Sequence, residues 1–259
     1  MKPAYALGAV GATAVAGAAA YAAPSLVRAL PPRLFPSLCG IGRRGHVALT
    51  FDDGPDPAST PAVLDMLDRL GWRATFFCLG SMAESTGGTG PEAGARAGAN
   101  SAPGLLQEMV AAGHEIAVHG YTHDGAIRRT PGKLVDDVTR TRDLLHHVTG
   151  TVPHWYRPPY GEMSAGTFVA ARRSGLRLVL WSAWGRDWRP EATPGSVVND
   201  LSRGTVDGGT LLLHDSDCTS VPSSWRMTVA ALPLLAERLG QYEHPLDVGI
   251  LGDHGLDAA

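Results

Sequence analysis

Two adjacent carboxylates, Asp52 and Asp53, stand directly before Gly54-Pro55, and two histidines, His119 and His123, are separated by three residues. Neighbouring carboxylates repel, so a site that holds both must give them different roles. A His-x-x-x-His spacing can bring two imidazoles to one metal, either one helical turn apart or across a tight loop. Together with Asp53 the histidines form an Asp/His/His set that leaves coordination positions for water. That set suits Zn²⁺, with Co, Ni or Mn as further candidates. Such an ion lowers the pKa of a water it holds and polarises a substrate carbonyl. Each motif taken singly also has a plain structural reading, as an Asp-rich turn or as two exposed or core histidines.

Further along lie more groups with chemical uses. In Arg157-Pro158-Pro159-Tyr160-Gly161 the prolines lack N–H groups, so the Tyr160 N–H stands out as a fixed donor suited to an oxyanion. Arg157 can clamp a carboxylate such as Asp52. Trp181, Trp184 and Trp188 form either a sugar-facing wall or aromatic core, and Asp187 is a candidate orienter for a nearby histidine. His214 follows three leucines, and at a strand end it can act as a general acid that protonates a leaving amine. Asp215 and Asp217 read as turn caps. Cys39, Cys78 and Cys218 are too few and too scattered for a disulfide framework or a thiolate zinc site.

The elements that must position these groups are legible as periodicity. Short apolar runs fall at 46–51, 74–79, 115–119, 154–157, 176–181 and 210–214, with a weaker one at 247–251. Helical spacing fills the gaps, at 60–70, 105–112, 133–148, 164–174, 196–203 and 224–239. Gly71, Gly113, Gly150, Gly175 and Gly240 fall where these helices should stop. Strands alternating with helices imply a parallel sheet with helices outside it. The expected α/β fold is a (β/α) barrel of six or seven units, either complete or incomplete. Five of the runs end in the reactive clusters above, and C-terminal strand ends form one face of a barrel, where active sites sit.

With 259 residues the chain is long enough for one large domain. A formal charge of −3 and 18% charged residues exclude the basic excess of a nucleic-acid binder and an acidic tail. Residues 3–27 carry no charge. They read as a signal peptide with Ala20-Tyr21-Ala22 as a small-x-small cleavage site, as an uncleaved membrane anchor, or as a weakly apolar helix without targeting value. The arginines downstream oppose an outward-facing C-terminus by the positive-inside tendency. The expected layout is a signal or anchor at 1–30, a linker at 31–45, a catalytic domain at 46–251 and a tail at 252–259, with 85–104 as an exposed loop insertion. The expected location is outside the cytoplasm, secreted or anchored at the cell surface.

The five clusters, in this order, resemble the NodB-homology polysaccharide deacetylases, carbohydrate esterase family 4, over roughly 46–251. Thr50-Phe51-Asp52-Asp53-Gly54-Pro55 resembles the first motif of that family, His119-Gly120-Tyr121-Thr122-His123 the second and Arg157-Pro158-Pro159-Tyr160 the third. Asp187-Trp188 and Leu212-Leu213-His214 resemble the fourth and fifth. The resemblance implies that Asp52 is the general base and that Asp53, His119 and His123 hold the metal. It implies that Arg157 orients the base, that the Tyr160 backbone serves the oxyanion, that Asp187 tunes the catalytic histidine and that His214 is the acid. Trp188, Leu212 and Pro159 then line the substrate pocket, with Leu212 against the acetyl methyl. The chain departs from the pattern at Gly120, where the family usually has a loop-shaping Ser or Thr, and at Trp184, near which many members carry Asp. The implied fold is a distorted (β/α) barrel. The implied reaction is hydrolysis of N-acetyl groups on an N-acetylglucosamine polymer such as peptidoglycan or chitin, with no nucleic-acid or protein partner. An O-deacetylase of the xylan type, a small-molecule amidohydrolase and a non-catalytic cell-surface glycan-binding protein are the alternatives.

Overall fold

The computed structural model describes residues 17–84, 101–204 and 206–256. Most of the expected 85–104 insertion and the first part of the expected signal or anchor lie outside the described residues. Among the described residues no helix is long and apolar enough to cross a membrane.

Strand β1 (His46–Asp52) is buried along its whole length, as a central strand covered on both faces must be. Around it run β2 (Thr75–Leu79), β3 (Glu115–Gly120), β4 (Trp155–Tyr156), β5 (Arg177–Leu178), β6 (Ala183–Trp184) and β7 (Thr210–His214), with β8 (Asp247–Gly249) beside the lower half of β1. All pairings are parallel, in the order β5-β4-β3-β2-β1-β7-β6. The connecting helices are α1 (Thr60–Leu70), α2 (Gly80–Ala83), α3 (Ala102–Ala111), α4 (Pro131–Thr149), α5 (Ala165–Arg173), α6 (Pro194–Leu201) and α7 (Trp225–Leu239). Local chemistry sets their ends. Pro61 lies in the first turn of α1 and Gly71 ends it at φ 65. Capping boxes from Ser164 with Thr167 and from Thr193 with Ser196 open α5 and α6.

Strand alternation does the positioning. Val47, Leu49 and Phe51 face the helices and join the main core, whereas Ala48 belongs to an inner cluster with Phe77, Ala117, Trp155 and Val179. Side chains two residues apart share a face. The inner face that carries Ala48, Ala117 and Trp155 therefore carries Asp52, His119 and Arg157 at its upper end. Leu251 and Leu256 complete the inner cluster from the opposite end.

The apolar run 176–181 is divided between β5 and the seam of the barrel, and β6 follows as a separate short strand. Residues between them bond to partners on both sides: Val179 N–H to Tyr156 O at 3.1 Å and Ser182 N–H to Thr210 O at 3.0 Å. Leu180 N–H has no strand beside it and donates to Leu38 O at 2.6 Å. The expected linker, 31–45, is thus a docked strap and not a free connection. Buried backbone donors at the seam require partners, and the strap supplies them. Thr210 Oγ1 donates to Gly40 O at 2.7 Å, Gly42 N–H to Gly208 O at 2.9 Å and Arg43 N–H to His254 O at 2.8 Å. Upstream, Ser25 and Met163 exchange two hydrogen bonds at 2.7 and 2.9 Å, and Tyr21 donates to Arg129 O at 2.6 Å. The expected tail is docked as well as far as residue 256. His254 is fully buried with its Nδ1 2.8 Å from His46 Nδ1, and Arg177 donates to Leu256 O at 2.5 Å.

Gly40 is the tightest point of the strap. It sits at φ 66, and a Cβ there would run into Thr210 Oγ1. Gly40→Val should lower unfolding stability by about 2 kcal/mol in a urea titration, through strain and loss of strap docking. An unchanged midpoint would mean that the strap is not part of the cooperative unit.

Candidate active site

The upper inner face of the barrel holds the two aspartates in different settings. Arg157, with no solvent exposure, donates through Nη1 to Asp52 Oδ1 at 2.6 Å. The same nitrogen reaches Thr50 Oγ1 at 2.9 Å, Nη2 reaches Leu180 O at 2.7 Å, and the guanidinium lies 3.9 Å from the Phe77 ring centroid. Burial lowers the Arg157 guanidinium from its ordinary value, and Asp52 opposes that. One Asp52 oxygen is thereby engaged. The other lies 3.8 Å from His119 Nε2.

Asp53 turns away from its neighbour because its backbone is left-handed, at φ 84. Its Oδ2 accepts from Thr219 Oγ1 at 2.9 Å, which leaves Oδ1 facing His119 Nε2 at 3.4 Å and His123 Nε2 at 3.2 Å. Burial works to raise this carboxyl, but the imidazoles of His119 and His123 beside it, with His214 across the cavity, outweigh it and hold Asp53 well below the usual carboxylate range. His119 Nδ1 is 2.8 Å from the Arg157 carbonyl, which can only accept. Nδ1 therefore carries the proton, and Nε2 is free to coordinate. The ligand atoms of Asp53, His119 and His123 all lie within 4.8 Å of one another. Asp53 Oδ1 is buried without a hydrogen-bond partner. One oxygen and two nitrogens converging on a point, one of them an orphaned buried acceptor, fit a divalent ion.

His214 sits across the cavity. Its Nδ1 is 2.7 Å from Asp187 Oδ1, while Asp187 Oδ2 accepts from the His214 backbone N–H at 2.8 Å and from Thr228 Oγ1 at 2.7 Å. Burial opposes charge on this ring, but Asp187, with help from Asp53 and Asp52, pushes it up to about 10. Asp215, next in the chain, holds the first motif in place. It accepts from Gly54 N–H at 3.1 Å and from Thr60 Oγ1 at 2.6 Å. Burial raises its carboxyl to about 7.

These groups open into a cavity of about 340 Å³. Leu212, Trp181, Trp184 and Trp188 line it. Tyr160 stands at its mouth in left-handed backbone, φ 58, with its ring edge-on to His123 at 4.3 Å. Arg157 and Asp187 act from behind the wall. Pro159 does not line the cavity. It is buried, with Cγ 3.7 Å from the position a Cβ on Gly120 would take, so it backs the histidine loop. Gly120 itself is at φ 108, a conformation unfavourable to Ser or Thr. Loop support comes instead from Asp137, which accepts from Tyr121 N–H at 2.8 Å and pairs with Arg129 at 2.8 Å.

A family model described as polysaccharide deacetylase matches residues 40–179. The chain belongs to this family. It is 34% identical to a chitooligosaccharide deacetylase of Bradyrhizobium sp. (strain ANU 289), over 77% of this chain and 88% of that protein. It is 31% identical to the peptidoglycan-N-acetylglucosamine deacetylase PgdA of Listeria monocytogenes, over 69% of this chain but only 34% of PgdA. The chain thus spans about a third of the length of that relative. Among solved structures it is similar to a family 4 carbohydrate esterase from Streptomyces lividans in complex with acetate, with 31% identity, a TM-score of 0.61 and coverage of 76% and 88% of the two chains. The parallel half-barrel is the fold of this family.

Thr219, Asp215 and Asp137 were not singled out from the sequence as supports of the site. Thr219 and Asp215 lie just beyond the His214 strand end, which is the one available hint. Asp137 lies inside a helix and carries none.

The His214–Asp187 pair gives a signed expectation. Its folded-state pKa of about 10 lies above the ordinary 6.5, so the pair's stabilisation is complete below about 6.5 and is lost as pH rises through about 10. In Asp187→Asn the His214 ring should titrate at distinctly lower pH, read by NMR of the imidazole protons in metal-free protein. An unmoved titration would contradict the assignment of Asp187 as the dominant partner.

Proposed function

We propose that the protein is a metal-dependent polysaccharide deacetylase that hydrolyses the acetamide of an N-acetylglucosamine-containing glycan, releasing acetate and a free amine. The observation that carries this reading is one cavity in which Asp53, His119 and His123 converge, Asp52 is held apart by Arg157, and His214, bound to Asp187, faces them. The names of the relatives, a chitooligosaccharide and a peptidoglycan deacetylase, support the substrate class.

A divalent ion held by Asp53, His119 and His123, Zn²⁺ in the first instance, supplies Lewis acidity toward water and the acyl oxygen. Asp52 takes the proton of the attacking water at Oδ2, because Arg157 occupies Oδ1 and fixes the carboxylate plane. The Tyr160 N–H donates to the acyl oxygen as negative charge develops there. His214 hands a proton to the leaving nitrogen from Nε2, since Nδ1 is committed to Asp187. Leu212 packs against the acetyl methyl. Trp181, Trp184, Trp188 and Tyr160 offer aromatic faces to pyranose rings. A polymer of this class lies outside the cytoplasm, and the uncharged segment 3–27 supports export of the chain, secreted or anchored.

Acetate release from an N-acetylglucosamine tetramer or from peptidoglycan should be abolished by chelation and restored by Zn²⁺. Undiminished release from protein shown to be metal-free would overturn the reading. Release from acetylated xylan alone would move the reaction from amides to esters.

A further inference from the structure

A second cavity adjoins the catalytic one. A cavity of about 500 Å³ lies beneath the strap and shares Arg28, Trp181 and Trp184 with the first. The stretch just upstream of the strap is anchored by the two Ser25–Met163 hydrogen bonds, and its Arg28 lies against the active-site turn. A Cβ on Gly161 would lie 3.4 Å from Arg28 Cδ and 2.6 Å from the Trp181 ring. Cleavage after Ala22 would leave both Ser25 and Arg28 on the chain.

Charge in this second cavity is unbalanced. Its carboxylate, Asp200, is already engaged by Arg189 at 2.6 Å and Arg203 at 2.7 Å. Arg28 and Arg186 have no carboxylate partner among the described residues. Arg186 is presented from left-handed backbone, φ 50, with its guanidinium 5.4 Å from the Trp184 ring centroid. The Trp184 Nε1–H is buried without a partner, so the wall between the cavities also holds an unused donor. Unused donors and cations beside an aromatic wall match a ligand with acceptor oxygens and negative charge. Both arginines are exposed, so an incoming carboxylate can reach them from solvent.

We propose that the strap and the Trp181–Trp184 wall form a second sugar subsite in which Arg28 and Arg186 bind a carboxylate on the sugar next to the one being deacetylated. This deepens the proposed deacetylase function and rests on it. Arg28 acts as a specificity-determining residue that selects an anionic glycan over a neutral one.

The test compares two substrates in Arg28→Ala, Arg186→Ala and Arg28→Lys. One is the neutral N-acetylglucosamine tetramer. The other is a tetrasaccharide alternating N-acetylglucosamine and N-acetylmuramic acid with free lactyl carboxylates. For the anionic substrate, R28A should raise KM about tenfold with kcat unchanged, as expected for loss of one charge-assisted contact. R28K should recover part of that loss, and R186A should move KM in the same direction. For the neutral substrate KM should change far less than for the anionic one, and an unchanged circular dichroism melting curve verifies the fold. An equal change for both substrates, or no change for the anionic one, would overturn the subsite. If the wild-type protein releases acetate from neither, the deacetylase reading itself fails. Calorimetric binding of the anionic tetrasaccharide to wild-type and R28A protein then decides the subsite alone: tighter binding to wild type upholds it, and equal binding overturns it.

Discussion

A guanidinium with no access to solvent sits at the centre of the barrel, and the site is arranged around its charge. Burying Arg157 is expensive unless every donor finds an acceptor. Asp52, Thr50 and the Leu180 carbonyl answer two of its nitrogens and Phe77 covers its face, while the third, Nε, is buried without a partner among the described residues. That requirement fixes Asp52 on one side and ties the third motif to the first. The Arg157 carbonyl also holds the His119 ring, so one residue orients a carboxylate through its side chain and an imidazole through its backbone. Asp53 is free to take a different role because its left-handed backbone and Thr219 turn it away from Arg157. Two adjacent carboxylates with opposed surroundings are the physical basis of the proposed split between acid–base and ligand chemistry.

The same residue links the site to the strap. Leu180 accepts from Arg157 and donates to Leu38, so the seam that supplies the acceptor for Arg157 Nη2 is also where the N-terminal segment docks. A barrel that closes imperfectly leaves backbone groups to be satisfied, and here the preceding chain satisfies them. In doing so it carries Arg28 to the mouth of the cavity. The wall of the substrate cleft is therefore partly made by residues far from the five motifs.

Much of this was legible in the sequence because the signals are local. Helix 60–70 is found over those residues, since a proline in its first turn, apolar Val63, Leu64 and Leu67, and Gly71 bound it unambiguously. The clusters at Asp52, His119, Arg157 and His214 follow apolar runs, and a strand's period of two places them on the inner face once the barrel is inferred. The rest depends on contacts that sequence spacing does not encode. Nothing local in 176–184 marks the seam. Residues 31–45 are rich in Pro and Arg, so they read as a linker, yet their backbone groups are the ones that close it. Pro159 sits within a motif but faces the histidine loop, not the cavity. Thr219 acts through one long-range hydrogen bond, and Asp137 through a hydrogen bond to Tyr121 N–H and an ion pair with Arg129.

The division of labour between the two aspartates can be measured directly, by metal content and acetate release in Asp52→Asn and Asp53→Asn proteins. Mass spectrometry should find the full metal stoichiometry of the wild type in D52N, with acetate release reduced at least about a thousandfold. D53N should lose the metal and the activity together. Metal lost from D52N, or retained at full stoichiometry in D53N, would contradict the account.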